Sequence, residues 1–208
     1  MSAEWGAEAP VRPRRVLVLG GPGGVTAEVA TMVAMSRGLM PHQRHDLDRL
    51  AYEPPAHQAN AQFREWTRVS DQARRERAAA LASNARWVAS GQYAGWTEAL
   101  RDAADVILWL DPSAPAATVG VLQHAIVWRW RGSRDWDLRS MVQAARGAWS
   151  YPSRPQATAE ELRERDEANG ARTLEVFLSP VSNKVIRCRS LKEVVETIER
   201  LSGRSRAT

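Results

Sequence analysis

Apolar positions along the chain fall into two rhythms. Residues 15–19, RVLVL, form a short unbroken apolar run, and RWVA (86–89) and DVILWL (105–110) repeat it. Runs of this length without polar alternation predict strands covered on both faces. The other rhythm is helical. TAEVATMVAMSRG places Val29, Met32, Val33 and Ser36 at helical spacing, with Gly38 as a C′ stop. Residues 57–84 are polar and rich in Ala and Arg; they predict a long helix with Phe63, Trp66, Val69 and Ala73 inward. Residues 115–131 predict another, with Val119, Leu122, Ile126 and Trp130 on one face. Thr158 and Glu161 form a capping box for a helix over 158–169 that stops at Gly170. TLEVFL (173–178) and KVIRCR (184–189) read as strands around the turn residues SPVSN. Ser190 and Glu193 then cap a last helix, LKEVVETIERL.

Strands alternating with helices predict an α/β fold with a mainly parallel sheet flanked by helices. Ligands in such folds bind outside the carboxyl ends of the strands. Here those ends are Gly20–Gly24, Gly91–Tyr93 and Asp111. Residues 1–13, rich in Ala, Pro and Glu, read as a loose tail, and 14–208 as a single domain.

Composition narrows the chemistry. A chain of 208 residues with 44% apolar positions supports one core without cross-links. No run reaches the roughly eighteen apolar residues of a membrane helix, and MSAEWGAEAPVRPRR lacks a signal-peptide core, so a cytoplasmic protein with no membrane partner is expected. Cys188 is the one cysteine, and His42, His45, His57 and His124 form no HExxH pattern, so no metal site is expected. The net charge is +5, but the basic residues are scattered, with no long run and no nucleic-acid motif. They read as solvated surface, and nucleic acid is not an expected partner. Lys184 and Lys192 are the only lysines, so nothing before them supplies an ammonium group.

The first strand runs into Gly20-Gly21-Pro22-Gly23-Gly24-Val25-Thr26-Ala27 and then a helix. A working phosphate loop reads G-x-x-x-x-G-K-[ST] in that setting. Gly20 fits. Val25 stands at the second glycine, Thr26 at the lysine and Ala27 at the magnesium-binding hydroxyl. Glu28 adds a negative charge in the first helical turn, which satisfies the helix dipole and repels a phosphate. The loop reads either as a tight turn alone or as a seat for a weaker anion such as a carboxylate.

RVLVLGGPGG, HDLDRLAYEP (45–54), RWVASGQYAGW (86–96), RDAADVILWLDP (101–112), WSYPSRP (149–155) and VIRCRSLKEV (185–194) follow one another in an order that resembles a known family. It is the small adenylate-kinase-like P-loop proteins known as DNA topology modulation proteins. The resemblance implies a nucleoside-monophosphate-kinase-like fold with a helical lid at about 113–150 that bears Arg and Trp. This chain departs from the family at the lysine position, and at Ser90 and Gln92, where the family has an acid and an Asn on either side of Gly91. Residues 173–184 read as an added segment.

On that scaffold Asp46 and Asp48 resemble the family's acidic motif near the acceptor and suit acid–base work; one of them capping the following helix is the competing role. Tyr93 matches a strand-end position that can donate to a ligand, or else it is a packed tyrosine. Arg101 and Arg154 match family arginines that bind anions, and Asp111 takes the place of the acid that helps hold magnesium. Arg129, Arg131 and Arg134 alternate with Trp128, Trp130 and Trp136 in the implied lid, where arginines clamp phosphate or carboxylate and tryptophans wall an apolar ligand. The structural counterpart is a solvated helix end.

Three functions are open at this point. One is an enzyme without ATP or any other cofactor, using Asp46, Asp48 and Tyr93 for cyclisation, isomerisation or dehydration of a small organic substrate. A second is a phosphotransferase using ATP and magnesium, with Arg in place of the lysine. A third is a non-catalytic pseudo-kinase. An exposed Trp patch would suit a homodimer.

Overall fold

A computed structural model describes residues 13–22, 25–39, 43–54, 66–130, 137–164 and 169–202. The chain order is β1 (Arg15–Gly20), α1 (Thr26–Ser36), β2 (Arg44–Asp46), α2 (Asp48–Ala51), β3 (Tyr52–Glu53), β4 (Thr67–Arg68), α3 (Asp71–Ala82), β5 (Trp87–Gly91), α4 (Glu98–Ala103) and β6 (Val106–Leu110). It continues through α5 (Ala114–Trp130), α6 (Leu138–Ser150), α7 (Ala159–Glu164), α8 (Ala171–Leu178), β7 (Val185–Cys188) and α9 (Leu191–Leu201). The main sheet has five strands in the order β2-β5-β1-β6-β7, and every pairing is parallel. β3 and β4 form a separate antiparallel pair.

The unbroken apolar runs have a plain cause. Val16 and Val18 of β1 face a cluster with Val29, Val33, Leu108 and Val194, which seats α1 and α9. Leu17 and Leu19 face the other way, onto Leu47, Leu81, Leu100, Ile107, Trp109 and Leu174. Alternate side chains point to opposite faces, and both faces are covered, so no polar position is tolerated between them. The chain steps from β1 to one side for β2 and β5, then to the other for β6 and β7. That reversal opens the crevice at the carboxyl end of β1, where open α/β sheets bind ligands.

Two helix ends match their signals. Gly38 takes the left-handed conformation with φ of 59° just past α1, and Leu39 N–H closes on Ala34 O at 2.9 Å. Thr158 and Glu161 exchange hydrogen bonds at 3.2 and 2.8 Å ahead of α7.

Four expectations need correction. The long helix over 57–84 is a shorter one. Ser70 accepts from Ala73 N–H at 3.2 Å and starts α3, while Thr67 and Arg68 are extended. Its buried face is Arg74, Ala78 and Leu81; Phe63 lies outside the described residues. TLEVFL is helical, not a strand, because Leu174 and Leu178 lie four apart on the face that meets the core. α7 is described over Ala159–Glu164, residues 165–168 lie outside the described residues, and Gly170, expected as a helix stop, is the N-cap of α8. Finally, α5 is turned over. Ala117, Val121 and Ala125 are its buried positions, and Ala117 and Val121 cluster with Ala144 and Ala148 of α6. The bulkier stripe of Val119, Ile126 and Trp130 faces solvent, Trp130 at 88% exposure.

Candidate functional site

The glycine turn leaves β1 at the carboxyl edge. Val25 is the N-cap of α1 with an ordinary φ of −90°. Its side chain packs against the α1 cluster, so a branched residue here strains nothing. Thr26 folds back onto the strand: a Cβ on Gly20 would lie 2.9 Å from its methyl group. A Cβ on Gly21 would lie 2.6–2.8 Å from three ring atoms of Tyr151. The second glycine of the turn thus accommodates a ring of the protein itself. Gly23 and Gly24 lie outside the described residues, and Pro22 is half-buried beside them.

Tyr151 belongs to a cluster built on β6 and β7. Trp109 and Arg187 are register partners, and Asp111 follows two residues after Trp109, on the same face. The Arg187 guanidinium lies 4.2 Å from the Trp109 ring centroid. It donates to Asp111 Oδ2 from Nε at 2.9 Å and from Nη2 at 2.6 Å. The carboxylate placed by sequence in the magnesium position is therefore engaged by an arginine of the same chain. The Trp109 indole N–H donates to the Tyr151 hydroxyl at 3.4 Å.

Burial pushes the Tyr151 phenol up to about 12, with Asp111 adding to the rise and the Trp109 N–H, Arg187 and Arg154 opposing it. An unfolded tyrosine titrates at about 10. The folded value is the higher one, so the neutral phenol's contribution is complete below pH of about 10 and is lost as pH climbs through 12. The expected loss is on the order of 2–3 kcal/mol. Urea unfolding of the wild type and Tyr151→Phe between about pH 9 and 12 measures it. The wild type should fall more steeply, and parallel curves would remove the assignment.

Across the crevice, β2 ends at Asp46 beside β5. Leu47 N–H donates to Ser90 O at 2.9 Å, and a Cβ on Gly91 would lie 2.8 Å from the Leu47 Cβ, so the glycine lets the two strand exits close together. Asp46 Oδ1 accepts Asp48 N–H at 3.0 Å, so Asp46 holds the start of α2. Asp48 does something different: its Oδ1 accepts the Tyr93 hydroxyl. Tyr93 is otherwise packed, 7% exposed, with Trp96 at a ring-centroid distance of 5.3 Å. The structure brings together Asp48, the first residue of α2, and Tyr93, in the loop after β5, with Asp46 bonded to the backbone N–H of Asp48.

Two of the expected anion ligands serve the fold. Arg101 donates to Phe177 O at 3.0 Å, pairs with Asp102 at 2.7 Å and stacks on Phe177 at 4.8 Å. Arg154 donates to Asn169 O at 3.0 Å, Ser150 Oγ at 3.2 Å and Gly147 O at 3.4 Å, tying α6 to the start of α8. Trp128, 43% exposed and 5.9 Å from His124, and Arg129 lie on the last turns of α5, facing outward. Burial lowers the His124 imidazole, with Glu28 of α1 opposing, so α5 runs near the start of α1. Arg131, Arg134 and Trp136 lie outside the described residues.

No family model and no curated protein matches this chain. Its chemistry is thus read from the residues themselves. Asp48 and Tyr93 form a carboxylate–phenol pair at a strand-end crevice, able to take a proton at one atom and give one at the other. Among the described residues no group of His, Cys, Asp and Glu is placed to hold a metal ion. Lys184 lies at the opposite edge, where its Nζ donates to Asp102 O at 2.8 Å, and Lys192 is exposed on α9, 3.9 Å from Glu196. No helix among the described residues is long and apolar enough to cross a membrane.

Sequence reasoning missed Arg187, Trp109, Asn169 and the role of Tyr151. Arg187 had a signal: it is the one charged residue inside the strand VIRC. Asn169, which donates to Gln92 O, had none, because its partner is 77 residues away.

Proposed function

We propose that this chain is a degenerate member of the adenylate-kinase-like P-loop family that acts without ATP, performing acid–base chemistry on a small organic molecule. The parallel sheet and the glycine turn leaving its central strand support the scaffold. The Asp48–Tyr93 hydrogen bond at the crevice carries the chemistry: Asp48 takes a proton and Tyr93 donates one to a developing oxyanion. Cyclisation, isomerisation and dehydration need no more than this. Loss of ATP is supported by Asp111, which Arg187 already engages, and by the absence of lysine from the loop.

A thermal melt with and without millimolar MgATP tests the first half. A ligand at about a hundred times its Kd adds about 2.7 kcal/mol, a shift that is easily seen. We expect none; a magnesium-dependent rise makes the protein a phosphotransferase with an arginine-based phosphate site. The same melt over a panel of small carboxylated and polycyclic molecules then finds ligands, and mass spectrometry follows their conversion. Asp48→Asn and Tyr93→Phe should each slow conversion by about 10²–10⁴-fold while the ligand-induced shift persists. Turnover that is unchanged in both variants sinks the proposed roles, and ligand binding with no conversion at all identifies a pseudo-kinase.

A further inference from the structure

α5 and α6 form a core of their own. Ala117 and Val121, early in α5, cluster with Ala144 and Ala148, late in α6, so the two helices run antiparallel. This cluster is separate from the two that cover the sheet. It is built of small side chains, so the larger apolar ones of both helices stay outside. The most exposed of them lie at the far end of the pair, where α5 stops and α6 starts. Trp130 is 88% exposed and Leu138 is 77% exposed, and Ile126, Val127 and Val142 are exposed about one turn from them. They do not share one direction. Val127 stands about 100° around α5 from Ile126, with Trp130 between them and opposite Val121. The end of the pair is therefore apolar through a wide arc.

The same two helices are set apart by charge. α5 carries Arg129, α6 carries Arg139 and Arg146, and neither contains Asp or Glu. Every other α-helix among the described residues carries at least one acid. Of the two aspartates between α5 and α6, Asp137 caps α6 by accepting Ser140 N–H at 2.7 Å, and Asp135 lies outside the described residues. A groove of about 640 Å³ lies along α6, lined by Leu138, Arg139, Val142, Gln143 and Arg146, so apolar and cationic side chains border one space.

We propose that the far end of the α5–α6 pair docks on the surface of an anionic lipid bilayer. Tryptophan and leucine beside arginine, on helices without acids, are the chemistry of a segment lying in the headgroup layer. The ring and the aliphatic chains enter that layer, and the guanidinium groups stay among the lipid phosphates. A flat protein partner would cover one direction of an arc that faces several, whereas a fluid headgroup layer closes around it. A second copy would bring the same arginines against their own kind. Nucleic acid would leave Ile126, Val127, Leu138 and Val142 uncovered, since aliphatic side chains offer no plane for a base to stack on. That no helix among the described residues is long and apolar enough to cross a bilayer leaves a helix free to lie on one. This docking is independent of the reaction proposed above.

Co-sedimentation of the full chain with sucrose-loaded vesicles tests the surface. Vesicles of phosphatidylcholine with about 30% phosphatidylglycerol should bind it about tenfold or more above pure phosphatidylcholine, and added salt should release it. Arg139→Gln with Arg146→Gln should cost about thirtyfold in partition, and Trp130→Ser with Leu138→Ser about tenfold or more. Tm should stay unchanged in both double variants, because all four side chains are exposed. Leu191→Ser, at an exposed leucine on the acid-bearing α9, should leave the partition as it is. No partition, equal partition onto phosphatidylcholine alone, or wild-type partition in both double variants overturns the proposal. Dimers in analytical ultracentrifugation that the Trp130→Ser, Leu138→Ser protein does not form overturn it in favour of self-association. Tighter binding of a short single-stranded oligonucleotide than of the anionic vesicles overturns it in favour of a nucleic-acid surface.

Discussion

Tyr151→Ala is expected to lower the unfolding free energy by about 3–5 kcal/mol, the range for truncating a large buried aromatic side chain. The residue is 1% exposed and lies between the glycine turn and the Trp109 indole. Removing the ring opens a cavity under both. Tyr151→Phe keeps the ring and forfeits the hydroxyl contact alone, so about 1 kcal/mol is expected. Gly21→Ala attacks the same contact from the other side, pushing a methyl group into the ring and costing about 1–3 kcal/mol. The two changes should not add. In the double variant Tyr151→Ala removes the ring that the new methyl group would strike, so Gly21→Ala should then cost little. Urea denaturation of the four proteins measures the cycle. Strict additivity, or a Tyr151→Ala loss under about 1 kcal/mol, would show that the ring does not pack on the turn.

The second large effect concerns Asp111. It is 8% exposed and holds Arg187 at two nitrogens, so Asp111→Ala leaves a guanidinium over Trp109 without its counter-charge. Breaking a fully buried pair costs about 3–5 kcal/mol. The Arg187 side chain is 39% exposed, so water takes up part of the lost interaction, and about 1–3 kcal/mol is expected. Asp111→Ala combined with Arg187→Met should regain most of it, because a flexible apolar chain can lie on the indole where the guanidinium did. Chemical denaturation at neutral pH reads the cycle. If Asp111 instead serves a magnesium ion, its replacement should abolish a magnesium-dependent Tm rise and change the metal-free stability little.

The layout of the candidate site was partly legible. Tyr93 follows β5, at the exit that strand-end reasoning named, because the exits of a parallel sheet follow from the strands alone; Asp46 and Asp48 were singled out by resemblance, and β2, which ends at Asp46, has no apolar run to announce it. Their division of labour was not legible: Asp46 bonds a backbone N–H, while Asp48 meets the Tyr93 hydroxyl across 45 residues. Arg101 and Arg154 matched the family pattern yet bond backbone carbonyls, since a guanidinium satisfies a carbonyl as readily as an anion. Arg187 went unnoticed because its partners sit on a neighbouring strand.

Local pattern sufficed for the three long apolar strand runs, the helix after the glycine turn and the capping boxes, because each depends on residues within a few positions of one another. It was also enough to exclude a lysine-based phosphate loop. Pattern failed where two solutions were locally equal. TLEVFL has the composition of a strand and the spacing of a helix, and it became α8 because Leu174 and Leu178 could both reach the core. α5 carries two apolar stripes, and the smaller one turned inward because alanines let α6 approach closely. The basic residues looked scattered along the chain, and parallel pairing gathered Arg14, Arg44, Arg86 and Lys184 along one edge. Charge proximity of that kind is a property of strand order, which no stretch of sequence contains.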